Sequence, residues 1–226
     1  MSQLKKTITN PNRRLTMKLE SNPEKKEITM RGFIGDYENG ISADDFIDVL
    51  SEHAGQDVTI HLNSEGGSVT DGLSMFNAIV NHDGKVTVHI DALAASIATV
   101  IAVAADSVKM NSTGKFMVHR CWTAAVGNCK DFRSMADVMD LLDKDIAASY
   151  SEKTGGSEEE MLALMDAETW MDAETALNAG FIDEIVEVKA RSKSKDEEYE
   201  AKALCSPAFH AALRAKCAMR RIKLKS

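Results

Sequence analysis

From Asp91 to Ala105 the chain reads Asp-Ala-Leu-Ala-Ala-Ser-Ile-Ala-Thr-Val-Ile-Ala-Val-Ala-Ala, an almost wholly apolar run of small side chains. The residues before it, Lys85-Val86-Thr87-Val88-His89-Ile90, alternate and are β-branched, which is the pattern of a strand. A strand that passes through a tight small-residue turn into a buried helix must be covered on all sides, so the fold has to be built around it. Ser96 stands where the run turns helical. A serine at a helix start has a bland reading, as an N-cap or a small core residue. It also has a chemical one, because unpaired N–H groups and the positive dipole end favour a developing negative charge there. Which reading holds depends on partners elsewhere in the chain.

The length of 226 residues suits one sizeable α/β core with tails. A net charge of −8 gives no electrostatic footprint for nucleic acid over the main body. The apolar run around Ser96 is bounded by Asp91 and Asp106 and is too short to span a bilayer, so no membrane partner is expected. Met1-Ser2-Gln3-Leu4-Lys5-Lys6 is not followed by an apolar segment, so no secretory signal is expected. Cys121, Cys129, Cys205 and Cys217 lack the paired spacing of a zinc site, and read as free thiols of a cytoplasmic protein. No metal and no cofactor are expected.

Residues 1–24 show little periodicity and read as a flexible N-terminal arm. Strand patterns follow at 27–35 and 57–62, with a helix opening at Ser42 between them and another at about 69–81. After the Ser96 helix and Ser107–Met110, Phe116-Met117-Val118-His119 is a short strand ending on a histidine. A long helical pattern covers 128–150, with Phe132, Met135, Val138, Met139, Leu142 and Ile146 at three-to-four spacing. Ser157 and Glu160 form a capping-box pattern, residues 172–180 a helix with a Gly stop, and 181–188 a closing strand. Repeated alternation of strand and helix predicts parallel crossovers and a covered sheet. The domain proper is therefore expected over 25–189. From 190 to 226 the chain is first polar and then basic, and residues 201–226 hold Lys and Arg but no Asp or Glu.

Three stretches end where strands run out toward helices, the usual place for functional groups in such sheets: Gly66-Gly67, Ser96 and His119. A Gly-Gly turn leaves backbone N–H groups uncovered by Cβ atoms, which suits an oxyanion or a phosphate. A nucleophilic serine needs a base, and the base a carboxylate; Glu168 and Asp166 are both placed to be considered.

Asn63-Ser64-Glu65-Gly66-Gly67-Ser68-Val69-Thr70-Asp71-Gly72 resembles the oxyanion turn of the Clp protease proteolytic subunit family. Ala94-Ala95-Ser96-Ile97-Ala98 is similar to that family's nucleophile motif, and Phe116-Met117-Val118-His119 to its histidine strand, in the same order. The similarity runs from about Ile28 to Val188. Trp122-Thr123, Ala147-Ala148-Ser149-Tyr150, Thr154-Gly155 and Glu168-Thr169-Trp170-Met171 resemble the Clp-related head maturation proteases of tailed phages and prophages. The resemblance implies an α/β fold of the Clp/crotonase kind, with repeated ββα/βαβ units and a projecting handle helix. It implies a serine endopeptidase with Ser96 as nucleophile, His119 as base and later acid, and backbone N–H groups of Gly67 and Ile97 as the oxyanion hole. Glu168 falls where the family has its acid, with Asp166 as the fallback. Arg120-Cys121 stands where the family usually has a proline nearby.

The same resemblance implies a homo-oligomeric ring, single or stacked in two, acting on peptide and protein substrates. Those would be scaffold or capsid proteins in the phage reading, with the enzyme in the host cytoplasm or prohead interior. An ATP-driven unfoldase is a further expected partner only in the assisted form. Rival readings are a housekeeping-type Clp subunit, a crotonase-like acyl-CoA-binding relative, and a non-catalytic assembly component.

Overall fold

The computed structural model describes residues 18–36 and 40–188. The polar and basic stretch at 190–226 lies outside the described residues, as do residues 1–17 of the N-terminal arm. Within that arm, Lys18–Asn22 is not an irregular segment but strand β1, paired antiparallel with β2 (Glu27–Arg31). Sequence reading missed it because Lys18-Leu19-Glu20-Ser21-Asn22 buries only Leu19 and so carries almost no apolar alternation.

From β2 the chain alternates as expected, through α1 (Ala43–Ser51), β3 (Val58–Ser64), α2 (Val69–Val80), β4 (Val86–Ala95), α3 (Ile97–Val103) and β5 (Ser107–Asn111). Strands β2, β3, β4 and β5 pair parallel in that order, and β8 (Glu184–Val186) adds parallel to β5. The helices start where side chains can cap them: Ser42 Oγ accepts from Asp45 N–H, and Ser68 Oγ from Asp71 N–H.

Burial alternates strictly along β3 and over the first half of β4, Val86–Ile90. Ile60, Leu62, Val88 and Ile90 are buried on one face, with Val108 and Met110 of β5 beside them. The opposite face carries half-exposed Thr59, His61, Thr87, His89 and Lys109. The sheet is thus not covered by apolar packing on both faces, as parallel strands usually are. The histidines and threonines at every second position are the reason.

β4 is the hinge of the architecture. Its first half, Thr87–Ile90, pairs with β5; its second half, Leu93–Ala95, leaves β5 and pairs with β6 (Lys115–Val118). On its other side β6 takes β7 (Thr169–Met171), antiparallel. Small residues at Ala92, Ala94 and Ala95 let one strand serve two neighbours in this way.

Helix α4 (Cys129–Thr154) has 26 residues, so it is roughly 39 Å long. Asn128 caps it with a reciprocal capping box, and Gly155 ends it in the left-handed conformation at φ 76°. Its second half is anchored by Asp143, Ile146, Ala147 and Tyr150, all buried. Its first half projects: Phe132, Met135, Val138 and Leu141 are exposed apolar side chains. Helices α5 (Glu158–Asp166) and α6 (Ala173–Asn178) pack after it.

Candidate active site

The partner switch of β4 determines where its last residues go. Ala94 lies beside Phe116 and Ala95 beside Met117, and the Ser96 N–H donates to the Met117 carbonyl at 2.9 Å. Ser96 therefore lies level with the end of β6, from which His119 emerges. The two side chains meet: His119 Nε2 is 2.8 Å from Ser96 Oγ. Ser96 sits at φ 58°, ψ −135°, a conformation that side-chain-bearing residues seldom adopt. Strain of this kind persists where surrounding structure over-determines it, and it clusters at functional turns. Ser96 is not a side-chain N-cap of α3, so its hydroxyl is left to the histidine.

The Gly-Gly turn packs directly on this serine. A Cβ on Gly66 would lie 2.7 Å from both the Ala95 carbonyl oxygen and Ser96 Cβ, and one on Gly67 would lie 2.0 Å from the Ile34 carbonyl oxygen. Both residues have positive φ, 94° and 152°. The turn is held by Ile34 N–H donating to Gly66 O (2.9 Å), Ser68 N–H to Ile34 O (2.8 Å) and Gly66 N–H to Ser64 Oγ (3.0 Å). Among the described residues, the N–H groups of Gly67 and of Ile97, the first residue of α3, donate to nothing. Ser96, Ile97, Gly67 and His119 line one cavity of about 360 Å³, whose walls combine apolar side chains such as Phe33, Val69, Val100 and Met117 with the charged Glu65 and Arg120.

Neither acid expected from the sequence touches His119. Asp166 is held in a two-pronged pair by Arg120, Nε to Oδ1 at 2.7 Å and Nη2 to Oδ2 at 3.1 Å, which keeps its carboxyl below the ordinary range. Glu168 is exposed, and its Oε1 accepts from Trp170 Nε1 at 3.4 Å. Backbone position separates the two. The β6–β7 ladder ends with Val118 paired to Thr169, so His119 and Glu168 are the residues that directly follow and precede its last pair. Glu168 also has a positive φ of 47°, unusual for a side-chain-bearing residue.

Two residues in the site were given no role by the sequence, although Tyr150 stands in the Ala147-Ala148-Ser149-Tyr150 stretch quoted above. Tyr150, fully buried in α4, hydrogen-bonds the Thr99 hydroxyl at 2.6 Å, and Thr99 in turn donates to the Ser96 carbonyl; burial raises the Tyr150 phenol. Asp143 is buried behind the His119 segment, where its Oδ1 accepts from the Cys121 N–H at 2.8 Å. The signal was available: Asp143, Ile146, Ala147 and Tyr150 fall at i, i+3, i+4 and i+7, so an acid occupies an apolar-face position. Burial and the Asp143 carboxylate push the Cys121 thiol up to about 12, so it is protonated at neutral pH and no competing nucleophile.

The open face of the sheet gathers another group of polar side chains. Donor atoms of His61, His89 and Asp91 lie within 4.8 Å of one another, a spacing that could hold a metal ion. Each already has a protein partner: Asp91 accepts from Arg31 (2.7 Å) and pairs with His61 Nδ1 (3.1 Å), and His89 Nε2 meets Asn111 Oδ1 at 2.9 Å. The group is an ion-pair network in which Asp91 raises the His61 imidazole above its ordinary value.

The family model for Clp protease matches residues 33–189.

The chain belongs to the Clp protease family.

Individual relatives agree. An ATP-dependent Clp protease proteolytic subunit of Bacteroides fragilis is 30% identical over 134 residues, covering 58% of this chain and 65% of that protein. The match thus spans less than two thirds of that relative. A proteolytic subunit 2 from Rhodococcus jostii is 27% identical over 144 residues, 63% of this chain and 74% of the relative. One from Synechococcus is 28% identical over 139 residues, 61% and 71% of the respective chains. Against this Clp background the fold is the family's mixed α/β arrangement, with α4 in the place of the expected projecting helix. No helix among the described residues is long and apolar enough to cross a membrane.

Proposed function

We propose that this Clp-family chain is a serine endopeptidase in which Ser96 attacks the peptide carbonyl. The observation that carries the reading is the 2.8 Å contact between Ser96 Oγ and His119 Nε2, beside two N–H groups with no partner among the described residues. Neutral His119 accepts the hydroxyl proton as the Ser96 oxygen bonds to the carbonyl carbon. The oxyanion that forms is received by the N–H groups of Gly67 and Ile97, each fixed by backbone before substrate arrives. The tetrahedral intermediate collapses when His119 returns its proton to the leaving amine. Water, activated by the same imidazole, then hydrolyses the acyl-enzyme. The cavity beside Ser96 receives a side chain of the substrate.

Glu168 completes the triad in this reading. Glu168 directly precedes Thr169, the partner of Val118 at the end of the β6–β7 ladder, which supports the reading. A side-chain rotation away from Trp170 would be needed to turn its carboxylate toward Nδ1, and such contacts are often open in the absence of substrate. A ring of subunits is proposed as the working assembly, with the exposed apolar half of α4 as a subunit contact. For the substrates we favour scaffold or capsid proteins, as in the head maturation branch, on the residues Trp122-Thr123 and Glu168-Thr169-Trp170-Met171. The names of the relatives favour a second reading, a housekeeping subunit served by an ATP-driven unfoldase.

Ser96→Ala tests the core of the proposal. The variant is expected to fold and assemble like wild type, yet neither cleave casein nor react with a fluorophosphonate. Full peptidase activity in Ser96→Ala would exclude Ser96 as nucleophile. Co-expression with capsid and scaffold proteins, with and without an unfoldase, separates the two substrate readings by intact mass.

A further inference from the structure

Past the end of β6 the chain that carries His119 leaves the sheet, and a different set of bonds takes hold of it. Asp143, only 4% exposed, reaches from α4 to this segment with both carboxylate oxygens. Oδ1 accepts from the Cys121 N–H at 2.8 Å, and Oδ2 pairs with Arg120 Nη1 at 3.3 Å. The other edge of the same guanidinium is clamped by Asp166 at the end of α5. Arg120 and Cys121 are the two residues that follow His119, so one buried carboxylate fixes the peptide on the C-terminal side of the imidazole. The Ser96 side is fixed separately, by the Ser96 N–H bond to Met117. A buried carboxylate costs much in desolvation and persists where it is paired and hydrogen-bonded; here both partners belong to the histidine segment.

We infer that Asp143, acting through Arg120 and the Cys121 N–H, is the positioning residue that holds His119 in register with Ser96. This deepens the reading of Ser96 and His119 as nucleophile and base and rests on it. Asp143 touches neither substrate nor the reacting atoms. Its effect is on the distance and angle at which Nε2 meets the Ser96 hydroxyl, where small misplacements are costly in rate.

The test compares full-length wild type, Asp143→Asn and Arg120→Gln, with Asp140→Asn as an exposed control on the same helix. Asparagine keeps an oxygen for the Cys121 N–H and removes the charge that Arg120 faces; glutamine at 120 removes the guanidinium from the other side. Peptide hydrolysis is expected to lose about tenfold or more in kcat in both variants, at a KM within twofold in Asp143→Asn, and to be unchanged in Asp140→Asn. Arg120 also lines the cavity, so the KM of its variant is left out of the test. The His119 ring-nitrogen NMR shifts report its bond to Ser96 without turnover, and they are expected to move toward those of an imidazole released from the serine. Unchanged kcat and unchanged His119 shifts in both variants would overturn the inference. So would a kcat loss that only tracks the unfolded fraction measured by circular dichroism. If wild type itself is neither peptidase nor labelled by a fluorophosphonate, the proposed function fails; the His119 shifts then still decide whether Asp143 holds the imidazole.

Discussion

Gly67→Ala puts the turn, the strain and the proposed oxyanion site under one test. The new Cβ would lie 2.0 Å from the Ile34 carbonyl oxygen and 2.9 Å from its carbon, both backbone atoms, so no side chain can rotate away. At φ 152° the alanine also bears backbone strain of about 1–3 kcal/mol. Relieving the clash means moving Ile34 away, and Ile34 makes two hydrogen bonds to the turn, at 2.9 and 2.8 Å. Loosening them costs about 0.5–1.5 kcal/mol each. The sum is about 2–6 kcal/mol, a large part of the roughly 5–15 kcal/mol that a domain has. The same shift carries the Gly67 N–H off the carbonyl oxygen's position, and losing one such donor costs on the order of a hundredfold or more in kcat. Urea unfolding followed by circular dichroism reads the first effect, and peptide hydrolysis on the folded fraction the second. Ser68→Ala, which removes the α2 cap together with the hydroxyl's bond to the Asp71 carboxylate, should lose about 1–2 kcal/mol and keep most activity. If Gly67→Ala matches wild type in both stability and kcat, the account of this turn is wrong.

Other outcomes follow from the same geometry. Tyr150→Phe removes one buried hydroxyl while Thr99 keeps its bond to the Ser96 carbonyl, so the expected loss is about 1 kcal/mol; a urea-derived loss several times larger would mean the pair does more than fill and bond. Glu168→Ala should lower kcat at least tenfold, whereas Asp166→Asn should act only through Arg120; full activity in Glu168→Ala would remove it from the triad. His61 is held above its ordinary value of 6.5 by Asp91, so its contribution to stability is complete below that pH and fades as pH rises through the raised value. The difference in urea midpoint between wild type and His61→Gln should therefore shrink from about pH 6 to pH 8 or above; a difference that grows with pH contradicts the pairing.

Local pattern was enough for most of the fold. The alternation at 57–62 and 85–90, the cap residues Ser42 and Ser157 and the small-residue run to Ala105 are properties of neighbouring residues, and such properties are written directly in sequence. β1 and β7 were not legible, because each is a short strand defined by the partner it finds rather than by its own apolar rhythm. The same limit applied to the candidate site. Ser96, His119 and the Gly-Gly turn were visible as residue types at the ends of elements. Their meeting at 2.8 Å depends on β4 changing partner from β5 to β6, a long-range choice that no spacing records.

The acids show the division most plainly. Sequence alone supplied two carboxylates, two residues apart, with nothing local to rank them. Tertiary structure tied Asp166 to Arg120, left Glu168 next to the last β6–β7 pair, and brought Asp143 from 24 positions beyond His119 to hold the segment that follows it. Sequence periodicity reports which side of a helix or strand is buried. Which groups then share a hydrogen bond depends on how elements far apart in the chain pack, and on the cost of leaving a buried charge without a partner.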